Sequence, residues 1–112
     1  MKKLEIIIKP EKLEIVKEIL DRNGINGMNF VNTMGYGRQN GTVKSSTGKE
    51  YQIGFVPKIK VESIVSDEVV EKIIHEILEE VNTGQYGDGK IAIYNVEDYI
   101  RIRTGERGKD AL

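Results

Sequence analysis

The chain has 112 residues, a length that favours one domain with its own hydrophobic core. Its 17 Lys and Arg residues against 18 Asp and Glu give a formal net charge of −1, which argues against a nucleic-acid coat protein or a membrane-surface binder. It contains no cysteine, which excludes internal disulfides and thiolate chemistry, and no apolar run long enough to span a membrane. We therefore expect a single cytoplasmic domain over residues 1–112.

The apolar pattern alternates between the two-residue period of strands and the longer period of helices. Pro10 suits the first turn of a first helix, where its missing N–H is not needed, and Gly24 is placed to end that helix. Ser66 is positioned to cap a second helix. Four strands are predicted, at residues 3–9, 27–36, 55–65 and 90–96.

The resulting order, βαββαβ, is that of a ferredoxin-like α+β fold, with a four-stranded antiparallel sheet and both helices on one face. The other face would carry a mixture of charged and apolar residues such as Ile7. Sheet faces that lack a covering layer are often closed by self-association. Residues 37–54 contain four glycines and show no helical or strand period, so they predict a long loop, either functional or disordered.

The segment at residues 83–90 carries the most specific chemical pattern. Three glycines remove side chains from a turn that would end in Lys90, at the start of the fourth strand. Backbone N–H groups of such a turn can point at an anion, and the lysine adds a positive charge, which suits a nucleotide phosphate. A tight turn without any ligand has the same composition.

Basic residues occur in three other segments. Arg101 and Arg103 alternate with apolar residues and would share a face if that segment is extended, although a turn is the alternative. Arg38 follows a Gly-rich turn, and Lys58 and Lys60 share one face of the third strand. We interpret these groups as one anion site, although scattered surface charge would give the same composition.

Six segments match runs typical of one family: IKPEKL at residues 8–13, GYGRQNG at 35–41, EY at 50–51, FVPKIK at 55–60, TGQYGDGKI at 83–91 and RIRTGE at 101–106. In order and spacing they resemble the P-II nitrogen-regulatory signal proteins, over nearly the whole chain. The resemblance implies a homotrimer with nucleotide sites in the clefts between subunits, where ATP and ADP compete. It also implies that 2-oxoglutarate binds beside ATP through Mg²⁺.

The resemblance assigns roles to individual residues. Gln39 would be the protein ligand of Mg²⁺, Lys58 would pair with a 2-oxoglutarate carboxylate, and Tyr51 is the position at which the family is uridylylated. The loops 82–90 and 97–105 would hold the nucleotide, with its nucleoside end lined by Ile7, Glu62 and Ile64. The implied nucleotide contacts are Ile7, Gly35, Gly37, Arg38, Gln39, Glu62, Ile64, Thr83, Gly87, Asp88, Gly89, Lys90, Arg101 and Arg103. The implied 2-oxoglutarate contacts are Gln39, Gly41, Lys58 and Gly87.

The resemblance also implies what the protein acts on. The loop at residues 37–54 would contact a regulated target, such as an ammonium channel or a nitrogen-assimilation enzyme, without nucleic-acid binding or direct membrane insertion. Where the family commonly has Tyr followed by Arg or Lys, this chain has Ser46 and Thr47, and it has Lys49 and Gly54 at two further atypical positions. These departures affect the choice of target more than the binding of ligands.

Other functions are weaker readings of the same sequence. A regulator that has lost its 2-oxoglutarate response would be an adenylate-energy sensor. A slow nucleotide hydrolase is a further alternative, but no motif places a general base, and we expect no enzyme. RNA binding would require aromatic residues on the central strands; we interpret Tyr94 and Tyr99 as packing residues and His75 as a surface residue.

Overall fold

The structure is a computed structural model that describes residues 1–36, 42–44, 50–52 and 55–112. Within these residues the chain forms the following elements in order: β1 (Lys2–Ile8), α1 (Leu13–Arg22), β2 (Asn29–Tyr36), β3 (Thr42–Lys44), β4 (Glu50–Gln52), β5 (Phe55–Val65), α2 (Val70–Glu80) and β6 (Lys90–Asn95).

Four of these strands form one antiparallel sheet in the order β2-β5-β1-β6. This order, with two helices in the connections, confirms the predicted ferredoxin-like fold. The four predicted strands lie within two residues of β1, β2, β5 and β6 at either end. In the central row Ile7 of β1 lies between Lys60 of β5 and Lys90 of β6, which brings residues from distant segments together.

The core lies between the sheet and the two helices, because alternate strand residues and one stripe of each helix are apolar. β1 shows this alternation directly, since every second residue from Leu4 onward is buried. The buried residues of α2 are spaced three and four apart and therefore lie on one face of the helix. The largest fully buried side chains are Leu4, Ile6, Ile8, Val16, Ile19, Leu20, Val61, Val65 and Ile73.

The helix boundaries test two of the predictions. Gly24 has φ of +77°, and the N–H of Ile25 donates to the carbonyl of Leu20 at 3.0 Å, which confirms Gly24 as the residue that ends α1. The predicted cap at Ser66 is wrong, because its side chain makes no capping hydrogen bond. A 3-10 turn precedes α2 there, and the N–H of Val69 donates to the Ser66 carbonyl.

The sheet face opposite the helices carries the expected mixture of charged and apolar residues. Lys3 and Glu5 precede Ile7 on this face. Glu62 Oε1 forms ion pairs with Lys3 Nζ at 3.6 Å and with Lys60 Nζ at 3.4 Å. In the part of the chain that the structure describes, no helix combines the length and apolar character needed to cross a membrane.

Two described segments within residues 37–54 differ from the sequence prediction. The sequence shows no strand period there, yet β3 and β4 pair as an antiparallel hairpin in which Val43 lies opposite Tyr51. Strands of three residues are too short for side-chain alternation to become visible in the sequence, and this is why the prediction missed them.

Candidate functional site

The turn between α2 and β6 is organised by one carboxylate. Asp88 Oδ2 accepts hydrogen bonds from the backbone N–H of Thr83 at 2.7 Å and of Gly84 at 3.0 Å, and Asp88 Oδ1 accepts one from the Thr83 hydroxyl. The Thr83 hydroxyl, ahead of the backbone bonds, holds the pKa of Asp88 down at about 2. Lys9 Nζ lies 3.7 Å from the same carboxylate. Asp88 thus folds the turn back on itself.

The second half of this turn lies directly against the first strand. Gly89 has φ of +106°, and a Cβ added there would lie 1.7 Å from the carbonyl oxygen of Ile7. Gly87 also has a positive φ, +94°. Glycine is therefore required at residue 89 for two reasons, its backbone conformation and the close approach to β1.

This turn forms one wall of a cleft of about 560 Å³, which we call the glycine-loop cleft. Its other wall comes from the ends of β1, β2 and β5. The cleft therefore brings together several residues for which the family resemblance implies a contact to phosphate or to 2-oxoglutarate. Its lining residues are Ile7, Gly35, Tyr36, Lys58, Gln85, Tyr86, Gly87, Asp88, Gly89 and Lys90.

Lys58 is the most unusual charged group in the glycine-loop cleft, because only 5% of it is exposed. Its Nζ donates a hydrogen bond to the carbonyl oxygen of Gly87 at 2.6 Å, which connects β5 to the glycine turn. Desolvation lowers the pKa of Lys58, and the nearby charge of Lys9 lowers it further. A Cβ at Gly35 would lie 3.2 Å from Lys58 Cγ, so the small residue on β2 makes room for the lysine stem.

Glu62 and Ile64, the predicted nucleoside-end residues on β5, do not line the glycine-loop cleft. They line a separate cavity of about 410 Å³, the Glu62 cavity, which has both apolar and charged walls. Ile7, to which the same role is assigned, lines the glycine-loop cleft instead, although its strand partner Lys60 is two residues from Glu62 on the same sheet face. The remaining residues that line this cavity are Lys3, Gly27, Met28, Asn29, Ser63 and Tyr99.

Arg101 lines a third cavity, also of about 410 Å³, which shares Gly27, Ile64 and Tyr99 with the Glu62 cavity. We call it the Arg101 cavity. The guanidinium of Arg101 donates to Glu106 Oε1 at 2.7 Å and to the Leu112 carbonyl at 3.3 Å. Because this cavity is also lined by Val65 and Ser66, the tail lies near the end of β5, whereas the glycine turn lies near Lys58 toward the start of that strand.

Arg103 is exposed at the tip of this tail segment. Residues 102–104 form a turn, closed where the N–H of Gly105 donates to the Arg101 carbonyl at 2.7 Å. The turn, rather than the extended alternative, is therefore correct, and Arg101 and Arg103 are not alternate residues of one strand face. Gly105, at φ of +74°, provides the left-handed residue that closes it.

The remaining predicted residues are distributed as follows. Gly37, Arg38, Gln39 and Gly41 lie outside the described residues, as does the side chain of Tyr51, whose backbone is in β4. His75 is exposed and lies 3.2 Å from Glu79 on the surface of α2, as expected. Among the residues with described side chains, no three His, Cys, Asp or Glu groups cluster closely enough to hold a metal ion.

Sequence reasoning missed three residues that line or support these cavities: Lys9, Met28 and Tyr99. Lys9 is recognisable only once the structure shows that the end of β1 lies beside Asp88. Tyr99 precedes Arg101 by two residues, a spacing that puts both on one side of an extended segment and could have indicated a shared role. Its interpretation as a packing residue stays a prediction, and 41% of it is exposed.

Known proteins resemble this chain over its whole length. The sequence profile described as "Nitrogen regulatory protein P-II" matches residues 1–106. Relatives named "Nitrogen regulatory protein P-II" are 50% identical in Pasteurella multocida, 49% in Haemophilus influenzae and 48% in Rhodospirillum rubrum. Each alignment spans 112 residues and covers 100% of both chains. The chain therefore belongs to the P-II family of nitrogen regulatory proteins.

Proposed function

We propose that this chain is a trimeric, cytoplasmic regulator of nitrogen metabolism that binds ATP or ADP and, together with Mg²⁺ and ATP, 2-oxoglutarate. Its ligand state would control target proteins through residues 37–54. The observation that supports this most directly is the glycine-loop cleft, in which a turn shaped by Asp88 and Gly89 lies beside Lys58 and Lys90. A cleft with this combination of bare backbone and lysine charge suits phosphate groups.

The division of the predicted residues supports a site shared between subunits. Lys90 lies in the glycine-loop cleft, whereas Glu62, Ile64 and Arg101 line the two other cavities of the same chain. A nucleotide that touches both sets must lie where the glycine-loop cleft of one copy meets the other cavities of a second copy. Three such contacts close a ring, which agrees with a homotrimer.

Gln39 is the residue that would contribute to holding Mg²⁺. An amide oxygen can complete a Mg²⁺ shell that phosphates and 2-oxoglutarate otherwise supply. When bound, the ion would supply positive charge for the nucleotide phosphates and for the effector carboxylate. Lys58 would supply a fixed positive charge for an effector carboxylate, and its hydrogen bond to Gly87 connects that position to the phosphate turn.

Control of targets would follow from the same arrangement. Gln39 lies at the base of the 37–54 loop, so a ligand set that engages Gln39 favours one conformation of the loop, and ADP without the γ-phosphate favours another. Nucleotide and 2-oxoglutarate must strengthen each other's binding by the same factor. The atypical Ser46 and Thr47 weaken the case for an ammonium channel and leave a nitrogen-assimilation enzyme as the alternative target.

Calorimetry and light scattering test this proposal. We expect a trimer mass at micromolar concentration, binding of ADP and of ATP, and binding of 2-oxoglutarate only when Mg²⁺ and ATP are present. Gln39→Ala should remove 2-oxoglutarate binding and keep ADP binding. A monomer, or a trimer with no affinity for adenine nucleotide, would contradict the proposal. Normal nucleotide binding without any 2-oxoglutarate response would favour the adenylate-energy sensor.

A further inference from the structure

Tyr99 lies where two cavities meet. It lines both the Glu62 cavity and the Arg101 cavity, together with Ile64 and Gly27. These cavities hold Glu62 and Ile64, which the family resemblance places at the nucleoside end of the site, and Arg101, which it places at a phosphate. With 41% of its surface exposed, Tyr99 presents part of its ring as an uncovered wall.

The backbone of Tyr99 is held on both sides. Its N–H donates to Asp98 Oδ1 at 2.8 Å, and its carbonyl accepts from the N–H of Gly108 at 2.9 Å. Arg107 Nε donates to the other Asp98 oxygen at 2.7 Å, which fixes the carboxylate. A tyrosine on a fixed backbone loses little further entropy when a flat ligand packs against it, since only two side-chain torsions remain.

The spacing between Tyr99 and Arg101 suits one nucleoside unit. Ile100 between them forms a β-bridge with Arg107, so this stretch is extended and both side chains lie on the same side of it. Positions two apart in a strand are separated by roughly 6.6 Å. The ribose that links a base to its first phosphate spans a distance of that order. Both residues line the Arg101 cavity.

We propose that Tyr99 is the residue on which the nucleobase stacks, with the phosphates directed toward Arg101 and toward the glycine-loop cleft of the neighbouring copy. This inference rests on the proposed nucleotide binding and adds a specificity determinant to it. A purine has a larger π surface than a pyrimidine, so stacking on Tyr99 favours adenine over cytosine.

Tyr94 provides a matched control. It is exposed to a similar extent, 48%, but lies on the open sheet face, where Lys3 Nζ is 5.4 Å from its ring centroid. It lines neither the Glu62 cavity nor the Arg101 cavity. Because Lys3 also lines the Glu62 cavity, Tyr94→Ala removes an exposed tyrosine beside that cavity without removing one of its lining residues.

The absence of tryptophan from the sequence makes a direct test available. In Tyr99→Trp the introduced residue is the sole tryptophan, and its fluorescence should be quenched on titration with ADP or with ATP. The fluorescence of Tyr94→Trp should not change. By calorimetry, Tyr99→Ala should weaken ADP and ATP binding by roughly five- to hundredfold, the range found for loss of one base-stacking aromatic. Tyr99→Phe and Tyr94→Ala should keep normal affinity.

The preference for ATP over CTP should fall in Tyr99→Ala. If wild-type protein binds no nucleotide, the proposed function fails, and this inference fails with it. If wild type binds normally and Tyr99→Ala also does, or if both tryptophan variants are quenched equally, Tyr99 has no stacking role and the proposed function stands. Should Tyr99→Ala fail to fold, Tyr99→Leu fills the space without a π face, and normal affinity in that variant would overturn the inference.

Discussion

Asp88 is an acidic residue in a cleft that we expect to receive phosphates, and its hydrogen bonds explain its presence there. Its carboxylate is directed at the N–H groups of Thr83 and Gly84, so it holds the turn together. We therefore expect Asp88 to position the phosphate-binding backbone without touching phosphate, since a carboxylate contact to phosphate would be repulsive.

Acid titration should open this turn. Because the pKa of Asp88 is lowered to about 2, its carboxylate stabilises the folded turn above its ordinary pKa of 3.8, and that stabilisation is lost as the pH falls toward 2. The amide proton shifts of Thr83 and Gly84, followed by NMR from pH 6 to pH 2, should move together in that window.

The variant Asp88→Asn tests the same carboxylate at constant pH. Both amide proton shifts should be displaced from their wild-type values at pH 6, and ADP affinity should fall roughly tenfold, as expected for lost charge-assisted hydrogen bonds. Unchanged shifts in the variant would contradict the assignment.

Lys58→Met tests a second charged group of the glycine-loop cleft. Methionine keeps most of the lysine stem in the space beside Gly35 and removes only the charge. We expect 2-oxoglutarate binding at saturating Mg²⁺ and ATP to be lost, and ADP affinity to change much less, since Lys58 would pair with the effector carboxylate and supports the phosphate turn only through its hydrogen bond to the Gly87 carbonyl. Lys60→Met is the control, because Lys60 lies on the same strand face and pairs with Glu62 outside the cleft. An equal loss of 2-oxoglutarate binding in Lys58→Met and Lys60→Met would show a general charge effect and not a specific contact of Lys58.

Among the helices and strands, sequence periodicity predicted best the elements that are long enough to show a repeated pattern. β5 was predicted with its exact bounds because eleven residues alternate with few exceptions. The turn before β6 was predictable from its glycines, but the reason for Gly89 was not, since the clash it avoids involves the carbonyl of Ile7 from the other end of the chain. The position of Arg101 beside Ile64 was also unpredictable, because it depends on the path of the tail after β6.

The two glycines of that turn differ in a way that can be measured. A methyl group at residue 89 would overlap the Ile7 carbonyl, whereas one at residue 84 has no atom within 4 Å, although both residues have positive φ. Gly84→Ala should lower the free energy of unfolding by about 1–2 kcal/mol, the cost of the left-handed conformation alone. Gly89→Ala should cost more, by roughly 1–3 kcal/mol, because β1 and the turn must separate. Urea denaturation measures the free energy of unfolding of both variants. Equal losses would show that the turn and β1 move apart without cost at residue 89.

For the whole molecule, the open sheet face and the exposed tail indicate that one subunit is incomplete. Lys3, Lys60 and Glu62 form ion pairs on a face without a covering layer, and Ile102, at the tip of the tail turn, is 100% exposed. Contact with a second copy would cover Ile102 together with the open sheet face. The tail and the glycine turn are thus the two surfaces that we expect to meet.

Trimers mixed from two variants test whether the tail of one subunit meets the glycine turn of another. Lys90→Ala and Arg103→Ala should each weaken ATP and ADP together by about ten- to a hundredfold, since each removes a charge-assisted contact to phosphates common to both nucleotides. If Lys90 and Arg103 come from different subunits, refolding the two variants together in equal amounts restores wild-type sites wherever an intact Lys90 meets an intact Arg103. Random mixing in a ring makes this roughly a quarter of all sites. Calorimetry should then show that fraction binding ADP with wild-type affinity. The double variant, refolded alone, should show none. No recovery in the mixture, with trimers present by light scattering, would place both residues in the site of a single subunit and overturn the shared site.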